Sequence, residues 1–86
     1  MFQKLLNEKD YFRSSDLALV ATLSLFYPIE VIDKQGLTGR AFFLFRKDGR
    51  EFEETLQKYW SRQLAVEPQA FFSQLKIIKA RIYSEE

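Results

Sequence analysis

The chain is expected to adopt an α+β fold: a short antiparallel β-hairpin, of two strands or three, packed on a central apolar helix and completed by two C-terminal amphipathic helices. Three observations predict it. Leu17 to Phe26 is apolar in almost every direction around a helix, as expected of a helix with protein on most sides. Arg40 to Arg46 is a phenylalanine-rich run flanked by a glycine-containing loop, which reads as a strand. Beyond Gly49, apolar residues recur every three or four positions in two separate stretches, the period of an amphipathic helix.

At the N-terminus, Phe2, Leu5 and Leu6 line one edge of a short helix, and Asn7 to Asp10 reads as a break. Tyr11 to Arg13 looks extended. Either Ser14 or Ser15 is suited to capping the next helix, and Asp16 suits its positive dipole end. The expected span is Ser15 to Tyr27, stopped by Pro28, because a residue before proline avoids the helical region.

Ile29 to Asp33 is β-branched and partly alternating, so it reads as the first hairpin strand. Lys34 to Gly39 holds two glycines and reads as the loop. Arg40 to Arg46 is the second strand, and Asp48-Gly49 turns the chain. Asp48 with Glu51 three residues on is a capping-box pattern for a helix from Gly49 to Gln63. Its stripe is Phe52, Leu56, Tyr59, Trp60 and Gln63, helped by Thr55. Leu64 to Val66 links to a last helix that starts at Glu67-Pro68, with proline at its first position. There Phe71, Leu75, Ile78 and Ile82 form the stripe, flanked by Phe72 and Tyr83. Ser84 to Glu86 is an acidic tail.

The 86 residues make one domain, 1–86, and a chain of this size buries roughly 60–65% of its unfolded surface. Without cysteine or histidine, it has no disulfide, no thiolate metal site and no imidazole for acid–base work or metal ligation. Stability then rests on packing, and nine Phe, four Tyr and one Trp supply large apolar side chains for it. No motif arranges the remaining carboxylates, lysines, serines and tyrosines for chemistry. The expectation is therefore a non-enzyme with no cofactor and no metal. Thirteen basic and twelve acidic residues leave a formal charge of +1, too little for a strong field toward nucleic acid or membrane. Leu17 to Ile29 is too short to span a bilayer, which takes ~20 residues. The first residues lack a signal peptide's apolar region, so a cytoplasmic setting is expected.

Successive side chains on a strand point to opposite faces. Ala41, Phe43 and Phe45 therefore share one face of the second strand, and Phe42 and Leu44 share the other. Both faces are apolar, as for a strand covered on both sides. One face suits the central helix. Three coverings are open for the other: the N-terminal residues folding back, using Phe2, Leu5 and Leu6, with Tyr11 to Arg13 as a third strand; the last two helices; or a second molecule, most simply another copy.

Arg40, Arg46, Lys47 and Arg50 surround the second strand, with Phe42 and Phe45 between them. Together with Phe42 and Leu44, these four basic residues make the candidate partner-binding set. Basic residues interleaved with aromatics on a strand also suit single-stranded nucleic acid, a weaker signal, because such cations equally protect an edge strand from aggregation. Glu51, Glu53 and Glu54 ahead of Lys58 and Arg62 read as a solvated helix face matched to the dipole. Lys76, Lys79 and Arg81 read the same way at the end of the last helix. Trp60 has the character of an interface anchor, but its stripe position favours the core.

Tyr11-Phe12-Arg13-Ser14-Ser15-Asp16-Leu17, Ala41-Phe42-Phe43-Leu44-Phe45, Tyr59-Trp60 and Val66-Glu67-Pro68-Gln69-Ala70-Phe71-Phe72 with the Leu-Lys-rich last helix form a further pattern. From about Tyr11 onward, the chain resembles a small family of prokaryotic and phage domains whose function is not established. The resemblance implies a bacterial, archaeal or phage source and a cytoplasmic setting. It carries over no site residues. The functional expectation is a small non-catalytic interaction or regulatory module binding protein or a second copy of itself, such as a phage or mobile-element accessory protein. A nucleic-acid-binding accessory protein is the alternative, and no membrane partner is expected.

Overall fold

The computed structural model describes residues 10–34, 40–47 and 49–83. Their order is β1 (Tyr11–Ser14), α1 (Leu17–Leu23), β2 (Val31–Lys34), β3 (Ala41–Arg46), α2 (Gly49–Trp60) and α3 (Pro68–Tyr83). The expected N-terminal helix edge at Phe2, Leu5 and Leu6, the loop at 35–39, Asp48 as a cap and the 84–86 tail lie outside the described residues.

The three strands form one antiparallel sheet in the order β1-β3-β2. The phenylalanine-rich strand is central. Two partners satisfy both of its hydrogen-bonding edges, which a lone hairpin does not achieve. β1 reaches it from 35 positions away, pairing Tyr11 with Arg46 and Ser14 with Phe43. On the other edge, Val31 pairs with Leu44 and Lys34 with Ala41. β2 therefore starts two residues later than Ile29, although Glu30 N–H already donates to the Leu44 carbonyl at 2.8 Å.

Helix α1 is shorter than the expected Ser15-to-Tyr27 span, and neither serine caps it. Ser14 belongs to β1, and its Oγ accepts from Asp16 N–H at 3.1 Å. Asp16 is the cap: its Oδ1 accepts from the Ala18 and Leu19 amides at 3.1 and 3.3 Å. At the other end, Ser24 Oγ donates to the Ala21 carbonyl at 2.8 Å. Leu25 and Phe26 amides then bond three residues back, to Thr22 and Leu23. That tighter winding, common at helix ends, carries the chain out before Pro28. The hydroxyl of buried Thr22 donates to the Ala18 carbonyl at 2.8 Å.

Helix α2 opens on Gly49 at φ 73, a left-handed conformation open to glycine at little cost. It closes at Trp60 rather than Gln63, through a left-handed Arg62 (φ 63). Gln63 N–H reaches the Lys58 carbonyl, and Arg62 N–H reaches that of Tyr59. This is the paired C-terminal bonding of a Schellman motif. Helix α3 starts at Pro68 as expected, with Glu67 Oε1 accepting from Ala70 N–H at 2.8 Å.

All three helices share one core with one face of the sheet. Leu19, Val20, Ala21 and Leu23 of α1 meet Ala41, Phe43 and Phe45 of β3, Phe52 and Leu56 of α2, and Ile78 of α3. Phe52 is its aromatic hub, with ring centroids 5.0 Å from Tyr27, 5.7 Å from Phe12 and 6.4 Å from Phe45. Of the three open coverings, the one that set α2 and α3 on the opposite sheet face from α1 is thereby ruled out. Trp60 is also corrected: it is 56% exposed, touching Phe12 edge-on. At 3.6 residues per turn it lies about 80° round α2 from Phe52, at the rim of the stripe. Phe72 and Tyr83, about 100° and 120° round α3 from Phe71 by the same geometry, are exposed as well. Among the described residues, no helix is long and apolar enough to cross a membrane.

Candidate docking face

The register of the sheet decides which side chains meet on its second face. Opposite the buried Ala41, Phe43 and Phe45, β3 presents Phe42, Leu44 and Arg46. The antiparallel pairing sets Tyr11 beside Arg46, Arg13 beside Leu44, Val31 on the other flank of Leu44, and Asp33 beside Phe42. An apolar centre of Phe42, Leu44 and Val31 is thus bordered by Tyr11, Arg13, Asp33 and Arg46. The apolar three are half-buried yet stand outside the core cluster.

Two arginines lie along this face. The Arg13 guanidinium sits 3.7 Å from the centroid of the Phe42 ring, and its Nη2 donates to Asp33 Oδ2 at 3.5 Å. Arg46 sits over the Tyr11 ring at 5.4 Å, and its Nη2 donates to the Tyr11 hydroxyl at 3.3 Å. Each cation–π contact contributes about 0.5–1 kcal/mol at an exposed site. The Arg13–Asp33 pair, with both side chains 47% exposed, adds about 0–1 kcal/mol. These interactions arrange the face rather than hold the fold together.

Of the six residues expected from the sequence to bind a partner, Phe42, Leu44 and Arg46 share this face. Arg40 lies just ahead of β3 and is exposed. Lys47 follows β3 and is exposed; its N–H donates to the Asp10 carbonyl at 2.8 Å. Arg50 is exposed in the first turn of α2. Phe45, read as one of the aromatics between the basic residues, is fully buried and reaches no ligand. Tyr11, Arg13, Val31 and Asp33 were missing from the expected set. The alternation in Tyr11-Phe12-Arg13, whose apolar Phe12 packs inward, separates Tyr11 and Arg13 from the core side, but only the register brings these two, Val31 and Asp33 to this face.

A different surface surrounds Phe26, which is 49% exposed. A cavity of about 380 Å³ on one side is lined by Phe26, Tyr27, Glu51, Glu54, Thr55 and Lys58. The Tyr27 hydroxyl there is 2.9 Å from Thr55 Oγ1 and donates to the Glu51 carbonyl at 3.3 Å. The carboxylates belong to an exposed helix face with Lys58 beside them, as read from the sequence. No cluster of three or more metal-ligating side chains occurs among the described residues. Burial pushes the Tyr59 phenol above its ordinary value, and the nearby Asp16 carboxylate adds to the rise.

No family model, curated protein or solved structure matches this chain.

Proposed function

We propose that this chain is a small non-catalytic interaction module that docks a protein partner on the second face of its sheet. The observation that supports it is the division of β3. Its alternate side chains fill the core, while Phe42 and Leu44, joined by Val31, form an apolar centre outside that core. Arginines border it. An apolar patch rimmed by polar groups is the usual anatomy of a recognition surface. A phage or mobile-element accessory protein acting on a host complex is one concrete form of such a module.

Site-specific photocrosslinking tests the reading. A photoreactive residue at Leu44 is expected to give a discrete protein adduct in cells, lost on Phe42→Ser while the fold persists. A residue at exposed Gln57 is the control. The same diffuse adducts from both positions would refute a docking face.

A further inference from the structure

We propose that the occupant of this face is an acidic, apolar peptide segment of another protein. The inference rests on the docking reading and adds the chemistry of the partner. Charge is the first argument. Arg13 and Arg46 lie on the face, and Asp33 is the one carboxylate on it among the described residues. Arg13 already pairs with Asp33. A segment bringing its own carboxylates meets complementary charge at the edge of the patch, while its apolar side chains cover Phe42, Leu44 and Val31.

A second copy of the chain fits poorly. A two-fold pairing uses the same patch on both copies, so a face with two arginines and one carboxylate meets another of the same net positive charge, which disfavours the pairing. The area is also small: three strands about 4.8 Å apart, four to six residues long, give a footprint on the order of 200–300 Å², which suits one short segment rather than a stable interface between folded chains, which takes about 800 Å² per partner.

Nucleic acid fits poorly for another reason. Base stacking needs open aromatic faces. Phe42 and Tyr11 each carry a guanidinium over the ring, and Phe45 is in the core, so a base would have to displace an arginine.

Amide-resolved NMR titration of the whole chain separates these occupants. The probes are a short peptide alternating Glu with Leu, its Lys-for-Glu counterpart, and a single-stranded oligonucleotide. The acidic peptide is expected to give saturable, salt-sensitive shifts at Arg13, Phe42, Leu44 and Arg46. Arg46→Glu is expected to weaken it by about tenfold, or roughly 1.4 kcal/mol, with the fold retained; Arg13→Glu is the second variant. Equal binding of the basic peptide, preferential binding of the oligonucleotide, or no saturable shift with millimolar acidic peptide would overturn the proposal. The crosslinking control separates this failure from loss of the docking reading. A Leu44 adduct lost in Phe42→Ser leaves a docking face with a different partner chemistry, whereas identical Leu44 and Gln57 patterns remove the face itself.

Discussion

The Arg13 guanidinium covers the ring of Phe42 at 3.7 Å, on the side of the sheet opposite Phe43, which is fully buried. Two adjacent phenylalanines thus have unequal roles. Phe43→Ala removes a ring from a closed core and is expected to cost about 3–5 kcal/mol. Phe42→Ala loses a cation–π contact and part-exposed area, and is expected to cost roughly 1 kcal/mol. Urea unfolding monitored by circular dichroism measures both, and equal losses would mean that Phe42 belongs to the structural core.

Asp16 bears the start of α1 on one carboxylate oxygen, which accepts from both the Ala18 and Leu19 amides. Asp16→Ala leaves both donors without that acceptor and is expected to destabilise the protein by about 0.5–2 kcal/mol. Ser15→Ala is expected to change stability by less than about 0.5 kcal/mol, because Ser15 is only part-buried and does not cap the helix. A larger loss from Ser15→Ala than from Asp16→Ala in thermal unfolding would reject this capping arrangement.

Arg62 occupies the left-handed position that ends α2, at φ 63. A side chain there carries a steric penalty that glycine avoids. The bonds of the motif, Arg62 N–H to Tyr59 and Gln63 N–H to Lys58, are made by backbone and survive substitution. Arg62→Gly is therefore expected to stabilise the protein by up to about 1 kcal/mol, offset in part by the greater freedom of glycine when unfolded. A rise of a few degrees in Tm is the readout. A fall would place Arg62 in an interaction that outweighs the backbone strain.

Much of this architecture was legible in the sequence because it is written locally. The three-and-four spacing of Phe52 and Leu56, and of Phe71, Leu75 and Ile78, marks α2 and α3. Phenylalanine alternation shows that Ala41, Phe43 and Phe45 must separate from Phe42 and Leu44. What was hidden depends on distant partners. Ser14 looks like a helix cap until β1 pairs with β3 and takes it into the sheet, leaving the cap to Asp16. Trp60 looks like core until the α2 stripe closes on Phe52, Leu56 and Tyr59, with the indole at its rim. The candidate face was half legible: Phe42, Leu44 and Arg46 lie on one strand. Tyr11, Arg13, Val31 and Asp33 join them only through register, and no local pattern specifies a pairing between positions 11 and 46.

Tyr59 contributes a loss of stability at alkaline pH whose sign follows from its surroundings. Burial disfavours the phenolate and the Asp16 carboxylate disfavours it further, so the folded-state pKa lies above the unfolded value. Below the ordinary tyrosine value of about 10 the phenol is neutral in both states and costs nothing. As pH rises past that value, the unfolded chain releases the proton while the native state retains it, and stability falls. The loss continues until the native phenol also ionises. Tyr59→Phe removes this contribution, so its stability relative to the parent is expected to improve steadily from near pH 9 to pH 11. Asp16→Asn is expected to reduce the effect without abolishing it, because burial is the larger cause. Denaturant midpoints measured across that range test the sign. A parent and Tyr59→Phe variant that stay parallel throughout would show that the phenol ionises alike in both states.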